Sequence, residues 1–81
     1  MKKTIITPAG TITPGTKLRI IEMKHTTAPS ATFPDGIDHQ AKENAGRVGD
    51  VTFIDDAGQI HGTWGGLALI PETDKFEIIK N

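Results

Sequence analysis

Residues 47–71 read Arg47-Val-Gly-Asp-Val-Thr-Phe-Ile-Asp-Asp-Ala-Gly-Gln-Ile-His-Gly-Thr-Trp-Gly-Gly-Leu-Ala-Leu-Ile-Pro71. Apolar and polar residues alternate on both sides of Asp55-Asp56-Ala57-Gly58, and this alternation predicts two antiparallel strands joined by a tight hairpin. Gly65-Gly66 predicts a second hairpin turn, followed by a short buried strand over Leu67–Ile70. Short apolar runs between turn residues, without helical periodicity, are typical of an antiparallel sandwich or barrel.

Two further strands flank this region. Downstream, Pro71–Asp74 predicts a single 3₁₀ turn and Lys75–Ile79 predicts a closing strand. Upstream, Lys17–Met23 alternates like a strand, but its apolar phase slips by one residue at Ile21. Such a slip predicts a bulge or a sharp bend.

The order of these elements predicts the fold class. It is all-β: a small, partly open SH3-like β-barrel of about five strands, with a long loop after the first main strand and a short 3₁₀ turn before the last strand. The barrel is expected over residues 15–79, after an N-terminal lead-in or hairpin at residues 1–14. The predicted core consists of Leu18, Ile20, Val51, Phe53, Ile60, Trp64, Leu69, Phe76 and Ile78.

Residues 25–45 form the long loop of this barrel. Loops of this length in compact domains are often functional. Pro34-Asp35-Gly36 predicts a turn within it. Asp38 predicts the N-cap of one short helical turn over His39–Asn44.

The chain has 81 residues and no cysteine. This length allows one domain. The absence of cysteine excludes a disulfide scaffold, a thiolate metal site and a thiol nucleophile, and it favours the cytoplasm. No run approaches the roughly 18 apolar residues of a membrane span, and the start Met1-Lys2-Lys3 is followed by too few apolar residues for a signal peptide. We therefore expect a cytoplasmic protein that contacts no membrane.

The charge of the chain is unevenly placed. Residues 1–24 hold five cations against one anion, whereas residues 25–81 hold four cations against nine anions, which leaves a net charge of −1. Lys17 and Arg19 share one face of a predicted strand and could form a basic stripe with Lys24. The simpler interpretation is that folding interleaves both halves as ordinary solvated charges.

No catalytic, cofactor or metal constellation is predicted, and we expect a protein that is not an enzyme. His25, His39 and His61 lack the spacing of metal ligands. Asp55 and Asp56 are paired carboxylates, but their place in a glycine-ended hairpin predicts that they accept hydrogen bonds from turn amides. Trp64 has two interpretations, a ligand platform or the main filler of a thin core, and the second is favoured.

The central region resembles a small uncharacterised bacterial family that occurs in firmicutes, often in phages and other mobile elements. The resemblance covers roughly residues 15–79. It rests on the Ile54-Asp-Asp-x-Gly58 hairpin, the Ile60-His-x-x-Trp64 strand and the ending Leu69-Ile-Pro-x-x-Asp-x-Phe76. It implies a domain of unknown function with an SH3-like barrel and brings no activity with it. Residues 30–45 are longer than the link usual in that family.

These observations predict a non-catalytic binding module of phage or mobile-element type that acts by protein–protein interaction. The long loop and the neighbouring hairpin turns are the expected contact surface, because the loop is long and no catalytic group is present. The candidate partner-binding residues are Phe33, Asp35, Ile37, His39 and Trp64.

Two further expectations concern partners. The alternative function is a nucleic-acid-binding barrel similar to KOW-type modules, in which the basic N-terminal third, with Lys17, Arg19 and Lys24, contacts phosphates. The chain is expected to be a monomer or a weak homodimer. A homodimer would form by pairing of an exposed edge strand, such as Lys17–Met23 or Lys75–Ile79.

Overall fold

A computed structural model describes residues 3–80 of the chain. Lys2, part of the basic N-terminal third, lies outside the described residues. Within them the protein is mostly β, a small barrel-like domain that confirms the predicted fold class. The strands are β1 (Ile5–Thr7), β2 (Gly10–Ile12), β3 (Lys17–Glu22), β4 (Val48–Ile54), β5 (Ile60–Gly62) and β6 (Lys75–Ile78), and one helix, α1 (His39–Glu43), precedes β4.

The strands form two antiparallel sheets. β1 and β2 make a two-stranded hairpin, and the other four strands form a sheet in the order β5-β4-β3-β6. Leu18 in β3 is paired with Gly49 of β4 on one side and with Ile78 of β6 on the other. The prediction that Lys17–Met23 is an edge strand is therefore wrong, because the chain returns from the long loop and pairs along its second side. Of the two predicted edge strands, only β6 lies at an edge.

Each of the two longest strands contains a register shift. The shift in β3 lies between Ile20 and Glu22 and leaves Ile21 half exposed, which confirms the predicted bulge. The shift in β4 lies between Val51 and Phe53. It turns Phe53 outward, so Phe53 is 50% exposed and Ile54 takes the inward position. The prediction of Phe53 as a core residue is therefore wrong, because the bulge changes the phase of alternation.

The core fills the concave side of the sheet. Trp64 is 3% exposed, and its indole N–H donates to the carbonyl of Leu67 at 2.7 Å. A Cβ atom on Gly62 would collide with the Trp64 ring, so glycine is required there. Ile78 is only partly buried against this core. The buried apolar residues are Ile12, Leu18, Ile20, Met23, Ala41, Val51, Ile54, Ile60, Trp64, Leu69 and Phe76.

The prediction of a strand over Leu67–Ile70 is wrong. Only Leu69 pairs, through a bridge to Ile60. The ladder stops on one side because the Leu67 carbonyl accepts from the Trp64 indole N–H. It stops on the other side at Pro71, which has no N–H to donate.

A hydrogen-bonded turn at Pro71–Thr73 then leads into β6. It contains one 3₁₀-type bond, from the Thr73 N–H to the Ile70 carbonyl at 3.1 Å. No helix among residues 3–80 has the length and apolar character needed to cross a membrane.

Candidate contact surface on the long loop

The long loop, which connects β3 to β4, folds back on itself. Thr26 and Ile37 form an antiparallel bridge, 11 residues apart in the chain. The Thr27 N–H donates to the Gly36 carbonyl at 2.9 Å and holds the two halves together. The long loop therefore has a hydrogen-bonded base.

Polar side chains order the tip. The Ser30 N–H donates to the Phe33 carbonyl at 3.0 Å, and the Phe33 N–H donates to Ser30 Oγ at 3.0 Å. Asp35 accepts from the Ile37 N–H at 3.1 Å and pairs with His39 Nε2 at 2.7 Å. The hydrogen bond with His39, and after it the one from the Ile37 amide, lowers the pKa of Asp35 below its ordinary value. The carboxylate is thus held in its charged form at neutral pH.

The helix α1 closes the loop. The Asp38 carboxylate accepts from the Ala41 N–H at 3.2 Å, which confirms the predicted N-cap. The Asp38 N–H itself donates to the His25 carbonyl at 2.7 Å and ties the start of the helix to the start of the loop. Ala41 is 2% exposed and belongs to the core, so the helix is fixed to the barrel by packing as well as by its cap.

Four of the five predicted partner-binding residues come together. Phe33, Asp35, Ile37 and His39 line one open groove of about 500 Å³, which we call the loop groove. Phe33 and Ile37 are half-buried, while Asp35 and His39 are exposed. The groove thus combines apolar side chains with one paired carboxylate. Trp64 does not join it, because its ring is buried in the core.

A second depression lies beside the loop groove. This cleft has a volume of about 650 Å³ and runs between the base of the loop and the segment 67–74. Phe33 and Asp38 line both depressions. Met23, Leu67 and Ile70 add apolar surface to the cleft, and Lys24 is an exposed cation on its rim.

Both walls of this cleft carry backbone groups without a partner among residues 3–80. Thr26 and Ile37 are bonded only through their neighbours, so the N–H and C=O groups of Thr26 point away from Ile37. Ala68 precedes Leu69, whose N–H and C=O both bond to Ile60, so the groups of Ala68 point away from Ile60. Sequence reasoning missed these two edges because each depends on a single bridge, Thr26–Ile37 or Ile60–Leu69, that no alternating strand pattern marks.

The predicted basic stripe is interleaved with acids. Arg19 Nη1 lies 2.7 Å from Glu77 Oε1 in an exposed ion pair. Lys17 is exposed and pairs in register with Asp50. The outer face of β3 is therefore a mixture of charges, and Lys24 lies beyond the bulge on the cleft rim.

A second histidine–aspartate pair occupies the β4–β5 hairpin. Asp55 accepts from the N–H groups of Ala57 at 3.0 Å and Gln59 at 2.9 Å, as predicted for a turn carboxylate. His61 Nε2 lies 2.9 Å from Asp55 Oδ2, and its ring stacks on Phe53 with centroids 4.2 Å apart. The hydrogen bonds with His61 and Gln59, in that order, lower the pKa of Asp55. The spacing of six residues across a hairpin is a signal that sequence reasoning could have used.

Among residues 3–80, no three histidine or acidic side chains come together in a way that could hold a metal ion. Each histidine–aspartate pair stands alone, and in each the carboxylate also binds backbone amides of its own turn. These carboxylates therefore order the turns in which they lie.

Comparison with known families gives one match. The family model described as domain of unknown function (DUF4314) matches residues 9–79. No curated protein and no solved structure matches the chain.

Proposed function

The chain belongs to this family of domains of unknown function (DUF4314), and from that premise we propose that it is a non-catalytic binding module that acts by protein–protein interaction. The resemblance of its central motifs further leads us to propose that it belongs to bacterial phages or other mobile elements, and the absence of cysteine leads us to propose the cytoplasm. The single observation that carries the proposal is the loop groove, in which Phe33, Asp35, Ile37 and His39 meet.

The order of the loop supports binding. Its backbone is bonded to Asp35, Asp38 and Ser30 before any partner arrives. A preorganised surface loses little conformational entropy on association, and this raises affinity for a given contact area. Phe33 and Ile37 remain half-buried despite these bonds, so the folded chain itself does not use all of their apolar surface.

The chemistry of the surface favours a partner that presents an extended segment. The cleft beside Phe33 offers unpaired backbone groups of Thr26 on one wall and of Ala68 on the other. Extended peptides bind such edges by adding a strand, with backbone hydrogen bonds for affinity and side-chain pockets for specificity. Phe33 then acts as the aromatic anchor between the groove and the cleft, as aromatic residues do at binding hot spots.

The charge distribution supports a protein partner over nucleic acid. Contacts to phosphates need a surface with an excess of cations. Arg19 is paired with Glu77 and Lys17 lies opposite Asp50, so these two cations are locally balanced. The alternative function, nucleic-acid binding through Lys17, Arg19 and Lys24, is one of the results that the test below can give.

The test uses two phenylalanines that lie in different places. Phe33→Ser removes the proposed anchor, and Phe53→Ser removes a half-exposed ring on the β4–β5 hairpin. Each chain is immobilised and exposed to extract from cells that produce the protein, and the protein retained by the wild type is purified and titrated by calorimetry. We expect Phe33→Ser to weaken binding by about tenfold or more and Phe53→Ser to leave it within about twofold.

Equal loss in the two variants would contradict the assignment to the loop groove, and the absence of any retained protein would contradict the proposal itself. Retention of RNA or DNA that weakens steeply with salt, and that Lys17→Ala/Arg19→Ala abolishes, would replace it with the nucleic-acid function.

A further inference from the structure

The proposed contact surface does not include β6, which forms one edge of the four-stranded sheet. Among the described residues 3–80, β6 pairs only with β3 and ends the strand order. The Ile79 N–H donates to the Lys17 carbonyl at 2.9 Å, and Arg19 is paired in register with Glu77. In an antiparallel pair the bonded residues alternate, so the backbone groups of Phe76 and Ile78 point away from β3. They have no backbone partner within residues 3–80.

Space is available beside this edge. An open groove of about 440 Å³ lies at the start of β6, between Lys75 and Phe76 of β6, Ile21 of β3, and Pro8 and Ala9 of the turn between β1 and β2. Ile21, which the bulge in β3 turns outward, is 50% exposed there. A strand added at this edge would meet the free backbone groups of Phe76 and Ile78. Exposed edges of this kind pair with other strands unless something blocks them.

The charges of β6 select what can pair with it. Lys75 and Glu77 are both exposed and flank Phe76, and they share the outer face because side chains alternate along a strand. When two copies of β6 pair antiparallel about Phe76, Lys75 of each copy faces Glu77 of the other. Moving the register by two residues places Lys75 opposite Lys75, or Glu77 opposite Glu77, and like charges directly opposite each other are destabilising.

From this we propose that β6 is a homodimer interface, in which two copies pair antiparallel with Phe76 opposite Phe76. In this register the N–H and C=O groups of Phe76 bond those of Phe76 in the other copy, and the Ile78 N–H faces the Asp74 carbonyl of the other copy. The Asp74 N–H already donates to the Ile70 carbonyl at 2.9 Å, so the Ile78 carbonyl gains no bond. The two four-stranded sheets become one continuous sheet of eight strands. This interface uses none of the four loop-groove residues, so it is independent of the proposed function.

The charge pattern yields a test that changes exposed side chains alone, and Glu77→Lys also removes the ion pair with Arg19. Lys75→Glu makes residues 75 and 77 both acidic, and Glu77→Lys makes both basic. We expect sedimentation over a range up to millimolar to show the wild type passing from monomer to dimer, with each single variant dimerising about tenfold or more weakly. An equimolar mixture of the two variants should form a heterodimer, because both cross-strand pairs are again of opposite sign. The double variant Lys75→Glu/Glu77→Lys should recover the homodimer.

Isotope labelling of one variant identifies the heterodimer by native mass spectrometry. Hydrogen exchange gives a second measurement on the wild type: the amides of Phe76 and Ile78 should gain protection as concentration rises, while those of Glu77 and Ile79 stay protected throughout. A wild type that remains monomeric at millimolar concentration would overturn the proposal, as would single variants that dimerise like the wild type, or variants that fail to associate when mixed.

Discussion

The four-stranded sheet and the long loop are held together in different ways. In the sheet, hydrogen bonds run between strands and the large apolar side chains of the concave face are covered, with Trp64, Leu18 and Ile60 at most 3% exposed. In the loop, a few backbone hydrogen bonds at the base are supplemented by side chains: Ser30, Asp35 and Asp38 each accept from amides within four residues. Phe33 and Ile37 are half-buried there.

From this difference we expect the sheet to supply most of the folding stability, and we propose that the loop supplies the binding surface. Burial of apolar surface is the main source of folding free energy, so most of it should come from the sheet. The loop contributes local hydrogen bonds of modest net value, and it leaves part of the apolar surface of Phe33 and Ile37 exposed, the surface that we propose binds a partner. Substitutions in the two regions should therefore differ in size and in kind, and the following predictions are ordered from the largest expected effect to the smallest.

Trp64→Ala is the largest expected disruption of the sheet. Loss of a buried aromatic ring costs about 3–5 kcal/mol of unfolding free energy, a large share of the stability of so small a domain. Chemical denaturation measures this loss. Phe53→Ala is the matched control, because that ring is half exposed, and we expect it to cost about 1 kcal/mol or less. Equal losses of unfolding free energy for Trp64→Ala and Phe53→Ala would contradict the outward position of Phe53, and with it the register shift in β4.

Asp74→Ala should have the next largest effect, because this residue joins the two regions. Its buried carboxylate accepts from the Lys24 N–H at 2.7 Å, where the loop begins, and from the Ile70 N–H at 2.8 Å. Removing the carboxylate leaves the amides of Lys24 and Ile70 without this acceptor. We expect the free energy of unfolding, measured by chemical denaturation, to fall by about 2–3 kcal/mol. Asp74→Asn retains one acceptor oxygen and should lose less. A loss below about 0.5 kcal/mol for Asp74→Ala would contradict this role.

Asp38→Ala tests the loop alone. Loss of an N-cap costs about 1 kcal/mol, and the affected helix has only five residues. Hydrogen exchange should show faster exchange at the Ala41 amide, which donates to Asp38, and little change at amides of β3 and β6. Asp38→Asn, which keeps a capping oxygen, should behave like the wild type. Accelerated exchange throughout the sheet would mean that the loop and the sheet open together.

Much of the fold could be predicted from local signals. The Asp55–Gly58 hairpin, the bulge at Ile21 and the Asp38 cap each depend on residues close in the chain. The inward position of Ile54 could not be predicted, because Phe53 and Ile54 are both apolar and only the pairing with β5 decides between them. The central place of β3 also depends on distant pairing, with β4 across the long loop and with β6 near the end of the chain.

The candidate surface shows the same limit. Phe33, Asp35, Ile37 and His39 lie within seven residues, so a sequence signal could suggest that they lie together. The cleft beside them depends on Thr26 and Ala68, which are 42 residues apart, and no local pattern relates the two. The residue type of Trp64 is compatible with filling the core or with binding a partner. Only the packing of the folded chain shows that its ring is in the core.

Phe33→Ser should change stability little. The ring is half-buried at the tip of the loop, and the bonds between Ser30 and Phe33 use backbone groups and the serine hydroxyl. We expect a loss of about 1 kcal/mol or less by thermal unfolding, in contrast to its large expected effect on binding. A loss near that of Trp64→Ala would mean that Phe33 belongs to the core.

The pH dependence of the two histidine–aspartate pairs should give the smallest effect. The pKa values of Asp35 and Asp55 are lowered in the folded chain. A lowered carboxyl pKa contributes stability above the unfolded pKa, and this contribution is lost as pH falls through the folded value. Wild type should therefore be more stable than Asp55→Asn or Asp35→Asn at neutral pH, and each difference should shrink below about pH 4. Denaturation at several pH values measures this, and a difference that stays constant down to pH 3 would contradict it.

The central claim is that the loop groove binds a protein. A photoreactive phenylalanine analogue placed at position 33, or at position 53 as the control, tests it in cells that produce the protein. The analogue at position 33 should crosslink to one discrete protein. The analogue at position 53 should not crosslink to that protein. Crosslinks to nucleic acid, or the same adducts from both positions, would contradict it.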